Sequence, residues 1–206
     1  MRYSKEHKQE THARIVRRAS VRLREKGAHG IGVADLMKEA GLTHGGFYAH
    51  FDSREALVIE AFTHASGRSR EYWRNIAEQT PPDKRLALIV ETYLDAAHRD
   101  DPGHGCAIAS LGADIARENP KTRKAFSVEL EHMIDLIADQ IQGASRKAAR
   151  RQAMATLATM VGALVMARIA GNGELSDEIM VAGREAALKR PARAKPGGRA
   201  PHAKPN

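Results

Sequence analysis

Thr43, His44, Tyr48 and His50 bring two hydroxyls and two imidazoles into eight residues, with Gly45 and Gly46 between them. If residues 43–51 form a short helix, Phe47 and Phe51 occupy one side and these groups point away from it. Such a face offers hydrogen-bond donors to phosphate oxygens and base edges, and bare backbone where the glycines lie. Each glycine costs a helix about 1 kcal/mol relative to alanine. A helix that only fills a core gains nothing from that cost. One that lies flat against a nucleic acid does, because no Cβ holds the surfaces apart. The chemistry offered is recognition rather than turnover.

The preceding residues hold this face in place. Val33, Leu36, Met37 and Ala40 follow the i, i+3, i+4, i+7 spacing of a helix with one buried stripe. Gly41 is placed to end that helix in the left-handed conformation, Leu42 plugs the turn, and Thr43 stands at the N-cap of the next helix. Two short helices joined in this way form a helix-turn-helix, which sets its second helix in a DNA major groove. The blander reading is an αα-hairpin with glycines as turn residues. The segment carries no Arg, Asn or Gln, the usual base-specific partners, so specificity would rest on His44, methyl contacts and DNA shape. Arg54 reads equally as a phosphate clamp or as a solvated cation.

The stretch Ala40-Gly41-Leu42-Thr43, then Phe47-Tyr48, His50-Phe51 and Ser53-Arg54-Glu55, resembles the DNA-binding domain of TetR/AcrR-family bacterial regulators over about Thr11 to Phe62. His44-Gly45-Gly46 is similar to a branch that includes repressors of electrophile and drug detoxification genes. The resemblance implies an all-α homodimer with an N-terminal reading domain and a variable C-terminal sensing domain. It also implies DNA contacts at Thr43, His44, Gly45, Gly46, Tyr48, His50 and Arg54.

Composition agrees with this organisation. The net charge of +8 divides into +5 over residues 1–70, −3 over 71–188 and +6 over 189–206. Positive charge gathered at one end is the electrostatic footprint of phosphate binding. The single cysteine excludes an internal disulfide and suits a reducing compartment. The charged N-terminus has no apolar stretch of a signal peptide. The longest uncharged run, residues 152–167, is shorter than the ~20 residues a membrane span needs. A cytoplasmic protein without membrane association is expected. No metal-ligand cluster, phosphate-binding glycine loop or nucleophile elbow is present, so neither cofactor nor enzyme activity is expected. The alternatives are a non-specific basic DNA-coating protein and, less favoured, an enzyme of unrecognised class.

Apolar periodicity and turn residues predict an all-α fold of about nine helices. The first spans about 5–26. A fourth opens with Asp52 and Glu55 as a capping box and continues to about 79 as a linker from the reading domain (1–62) to the sensing and dimerisation domain (63–188). Others cover about 83–98, 106–118, 122–142, 145–170 and 176–189, and a basic disordered tail follows from 189 to 206. The helix over 145–170 is apolar nearly all round, and the family resemblance puts the dimer interface in 145–188. An unidentified small-molecule effector is expected in the C-terminal domain, with Tyr72, Trp73, Tyr93, Phe126 and Met133 as candidate lining residues. Each is also a plausible core residue. Cys106, at a helix start near His98, Arg99 and His104, is either an electrophile or oxidant sensor or an inert buried thiol.

Overall fold

The computed structural model describes residues 5–189. Among them the chain is all-α, with nine α-helices, one 3₁₀ helix and no strand. The tail expected to be disordered lies, apart from Lys189, outside the described residues. Helix α1 (Lys5–Lys26) has the extent its pattern predicts. Helix α2 (Val33–Glu39) ends at Gly41, which has a φ of 74°. There the Gly41 N–H donates to the Lys38 carbonyl (3.0 Å) and the Leu42 N–H to the Met37 carbonyl (2.9 Å). Two carbonyls left open by the helix end are thereby satisfied, and the chain turns sharply.

Four local details differ from the sequence expectation. The reading segment η1 (His44–Ala49) is a six-residue 3₁₀ turn rather than an α-helix. Two adjacent glycines weaken α-helical winding, and the tighter turn still lets both Phe47 and Phe51 reach the core. Helix α3 (Arg54–Gln79) is capped by Ser53, whose hydroxyl accepts from the Ala56 N–H at 3.1 Å, so Asp52 and Glu55 form no capping box. Glu55 instead accepts from the Thr122 hydroxyl at 2.8 Å, and that bond holds its carboxyl below the usual range. The helix expected over 83–98 is divided into α4 (Arg85–Tyr93) and α5 (Ala96–Asp100), because extended Asp95 accepts from the His98 N–H at 2.7 Å and starts a new helix. Helix α6 (Ala107–Ile115) follows Cys106. Asn119-Pro120 does more than stop the preceding helix. Asn119 caps α7 (Pro120–Ala138), with Pro120 in the first turn where its missing N–H costs nothing. Helices α8 (Arg146–Ala170) and α9 (Glu174–Leu188) complete the fold.

Two apolar cores share α3. The first joins α1, α2, η1 and the start of α3 (Leu57, Val58, Ala61, Phe62, Ala65) to Leu111 and Ile115 of α6. Phe126 belongs to this core, stacked on Phe62 with ring centroids 3.5 Å apart. The second gathers Trp73, Val90, Tyr93, Leu94, Met133 and Ile137 around one face of α8. A continuous helix through both cores couples their positions.

Helix α8 is half-covered. Ala153, Thr156, Leu157, Met160, Leu164 and Ala167 are buried, and the Thr156 hydroxyl donates to the Ala187 carbonyl at 2.9 Å. Its outer side leaves Met154, Met166 and Ile169 exposed, the last at 82 %, beside Leu175 and Val181 of α9. By length and composition α8 as a whole is apolar enough to cross a membrane, although its uncharged run alone is shorter than a span. The close packing of α8 on α9 depends on Gly183, where a Cβ would stand 2.5 Å from the Ala163 Cβ and 3.1 Å from the Leu94 Cδ1. Alanine is the better helix former, but the clash is with a methyl that cannot swing aside. Gly183→Ala is therefore expected to cost about 1–3 kcal/mol of stability, measured by urea unfolding.

Candidate nucleic-acid interface and sensor cavity

Phe47 and Phe51 anchor η1, at 2 % and 3 % exposure, with ring centroids 5.5 Å apart. Thr43, His44, Gly45 and Tyr48 are left on the surface, and Tyr48 is 70 % exposed. Thr43 sits at the N-cap but makes no side-chain cap bond, so its hydroxyl remains available. Neither Gly45 nor Gly46 has a positive φ. A Cβ at Gly45 would meet nothing within 4 Å, and one at Gly46 would make only ordinary contacts with Met37 and Thr43. No steric contact within the chain requires glycine at either position.

Two expected members of the face have surroundings of their own within the fold. His50 is half-buried, its Nδ1 enclosed without a hydrogen-bond partner, its ring 6.0 Å from that of His12 on α1. Burial, then the neighbouring His12 and Lys8, lower its pKa and keep the ring neutral. Arg54 donates to the Ala28 carbonyl, while the Ala28 N–H donates to Asp114 of α6 at 2.7 Å. The guanidinium thus ties α3 to the chain just beyond α1. This was not legible in the sequence, since Arg54 and Ala28 meet only through the turn of the helix pair.

Cys106 is 6 % exposed and stands at the N-cap of α6. Its N–H donates to Nε2 of His98 at 2.8 Å, and Nδ1 of His98 donates to the Tyr93 carbonyl at 2.6 Å. The ring accepts on one side and donates on the other, which requires the neutral Nδ1–H tautomer. Burial lowers the His98 pKa in the same sense. Tyr93 is 2 % exposed and its hydroxyl lies against the Cys106 thiol. Burial raises the Tyr93 pKa far above its ordinary value, so the hydroxyl is a neutral donor.

Cys106 and Tyr93 open, with Trp73, Tyr72 and Met133, onto a cavity of about 640 Å³. These are five of the six sensor candidates. Phe126 does not line it, being committed to the first core. The wall also contains Arg17, Ser20, Val21 and Arg24 of α1 and His64 and Arg68 of α3. Sequence reading missed this contribution, because the arginines of α1 are scattered round the helix and look solvated. Arg24 is in fact 8 % exposed, its guanidinium donating to the Ser20 and Gly105 carbonyls at 2.8 Å each.

With this geometry established, comparison with known proteins places it. Residues 14–61 match the pattern described as bacterial regulatory proteins, tetR family. Residues 82–179 match that of the transcriptional regulator LmrA/YxaF-like C-terminal domain. The uncharacterized HTH-type transcriptional regulator Rv0196 of Mycobacterium tuberculosis is 25% identical over 164 residues, spanning 76% of this chain and 83% of its own length. A TetR-family regulator from Cytophaga hutchinsonii has the same fold, with a TM-score of 0.76 at 19% identity over 94% of this chain and 100% of that one. The reduced form of E. coli NemR superposes with a TM-score of 0.72 at 18% identity over 89% and 99%.

The His98 bridge carries a pH signature. A histidine whose folded pKa is lowered binds fewer protons in the native state than in the unfolded chain, so its contribution to stability is present above the unfolded pKa and is lost as pH falls below it. Protonating Nε2 would also set a second N–H against that of Cys106. Thermal melts are expected to show Tm falling as pH is lowered from about 7.5 to about 5.5. His98→Gln should flatten that slope without abolishing it, since His50 and His64 are shifted in the same direction.

Proposed function

Because this chain belongs to the TetR family of DNA-binding transcriptional regulators, we propose that it is a repressor that holds a palindromic operator as a homodimer. Release follows when an effector occupies the cavity or when Cys106 is modified. The observation that carries the reading is η1, a short turn whose core side is two buried phenylalanines and whose outer side is donors and bare glycine backbone. Thr43 and the amides that open the turn take a phosphate. His44 and the Gly45-Gly46 backbone lie against base edges, and Tyr48 reaches phosphate or sugar. Arg54 and His50 act from behind by fixing the pose of η1.

The dimer rests on the outer side of α8 and α9, where Met154, Met166, Ile169, Leu175 and Val181 remain exposed in one chain. A second copy laid across this seam covers it and sets two reading turns at the spacing of two operator half-sites. The effector cavity shares walls with α1 and α3, so a change there alters the pose of both turns and shifts the population away from the DNA-bound form. The setting proposed is the cytoplasm, where operator DNA and a reduced Cys106 are both found.

Selection of bound fragments from the host genome at near-physiological salt tests the reading. Full-length protein is expected to recover one or a few palindromic sites. Gly45→Glu, which fills open space with a negative charge, should weaken them about tenfold or more while leaving Tm unchanged. Fragments without a shared motif, bound equally by the variant, would show a DNA-coating protein instead. For the dimer, Ile169→Glu places a charge on a side chain already in solvent. Sedimentation velocity should show a monomer of unchanged helicity, with operator affinity reduced about a hundredfold. A variant that stays dimeric would place the interface elsewhere.

A further inference from the structure

The cavity wall is electrically unbalanced. Arg17 and Arg68 are exposed at its rim, and Arg24 is nine-tenths buried beside them. Among the described residues none of the three forms an ion pair, whereas Arg18, Arg22, Arg70, Arg99 and Arg150 each have a carboxylate partner. His64 lies among them, its pKa lowered first by burial and then by repulsion from Arg68, Arg17 and Arg24. Against the three guanidiniums the wall sets two carboxylates, of which Asp101 attracts Arg24. Asp95 accepts from the His98 N–H at 2.7 Å, and Asp101 accepts from the His104 N–H at 3.2 Å and ring at 3.0 Å. The exposed Arg17 and Arg68 guanidiniums, which form no ion pair among the described residues, offer planar, bidentate donors at the rim.

The inner part of the cavity is of another kind. Trp73, Tyr93 and Met133 are buried there, with the Tyr93 hydroxyl against the Cys106 thiol. The volume of about 640 Å³ is in the range of small organic ligand sites.

We propose that the effector is a small amphipathic carboxylate, with its anionic group among Arg17, Arg24 and Arg68 and its apolar part against Trp73, Tyr93 and Met133. The proposal deepens the regulator reading and rests on it for the effect on DNA. Arg17 and Arg24 lie on α1 and Arg68 on α3, so the carboxylate bridges the helix that backs the reading turn to the helix that carries both cores.

Trp73 is the single tryptophan of the chain, which makes its emission a direct reporter of the cavity. Octanoate and cyclohexanecarboxylate, titrated into the full-length protein, are expected to shift that emission saturably. Octanamide should bind about tenfold more weakly, and the exposed double variant Arg17→Gln/Arg68→Gln should weaken octanoate about tenfold while leaving octanamide and Tm unaltered. The proposal is overturned if octanamide binds as well as octanoate, if the double variant leaves octanoate binding where it was, if inorganic phosphate alone gives the same shift, or if neither carboxylate produces one. Operator binding is measured in parallel. Operator binding without a carboxylate response sinks this inference alone, whereas a carboxylate response in a protein that binds no operator sinks the regulator reading.

Discussion

A buried polar junction at the end of α1 fixes how the N-terminal helices meet the rest of the fold. There the buried Arg24 guanidinium spans from the Ser20 carbonyl to the Gly105 carbonyl just ahead of α6. A few residues on, the Ala28 peptide is held from both sides, its N–H by Asp114 of α6 and its carbonyl by Arg54 of α3. Hydrogen bonds of this kind, out of water and with charged partners, are stronger and less tolerant of misalignment than surface ion pairs. They fix the angle between α1, α3 and α6. The reading turn, packed on α1 and α2 through Phe47 and Phe51, inherits that angle.

The same junction forms one wall of the cavity, since Arg24 and Gly105 both line it. Cys106 stands beside Gly105, and its N–H is taken by His98, which in turn reaches the carbonyl of Tyr93. Arg168 of α8 closes the opposite side, donating to the carbonyls of His98 at 2.8 Å and Arg99 at 3.0 Å. A single connected set of polar contacts therefore runs from α1 through the start of α6 to α8. A packed interface with two discrete arrangements transmits a small change at one end better than a deformable one.

The layout of helices was largely readable from the chain. Periodicity located α1, α7 and α8, Gly41 and Leu42 gave the sharp turn after α2, and Ser145 and Gly171 bounded α8, because each of these signals acts within a few residues of itself. The details that were misjudged have competing local partners. Asp52 and Ser53 are both good caps, and the structure uses Ser53 because Glu55 is drawn to Thr122, 67 positions away. Asp95 ends α4 only because His98 folds back onto Tyr93. For the site, the outward residues of η1 followed from the two phenylalanines. The Arg54–Ala28 hydrogen bond and the nearness of His50 to His12 did not, since these residues come together only in the folded chain.

The sequence by itself determined the all-α class, the helix-turn-helix, the anchoring phenylalanines and the two glycines that leave the reading turn bare. These are consequences of backbone propensity and apolar spacing, which are short-range properties. Tertiary structure alone decided that Phe126 fills the first core and not the cavity, that Arg24 is buried, and that Arg17, Arg24 and Arg68 line one cavity. Whether a charged side chain is solvated or enclosed depends on which helices cross above it. That crossing is set by the packing of both cores together, and no window of sequence contains it.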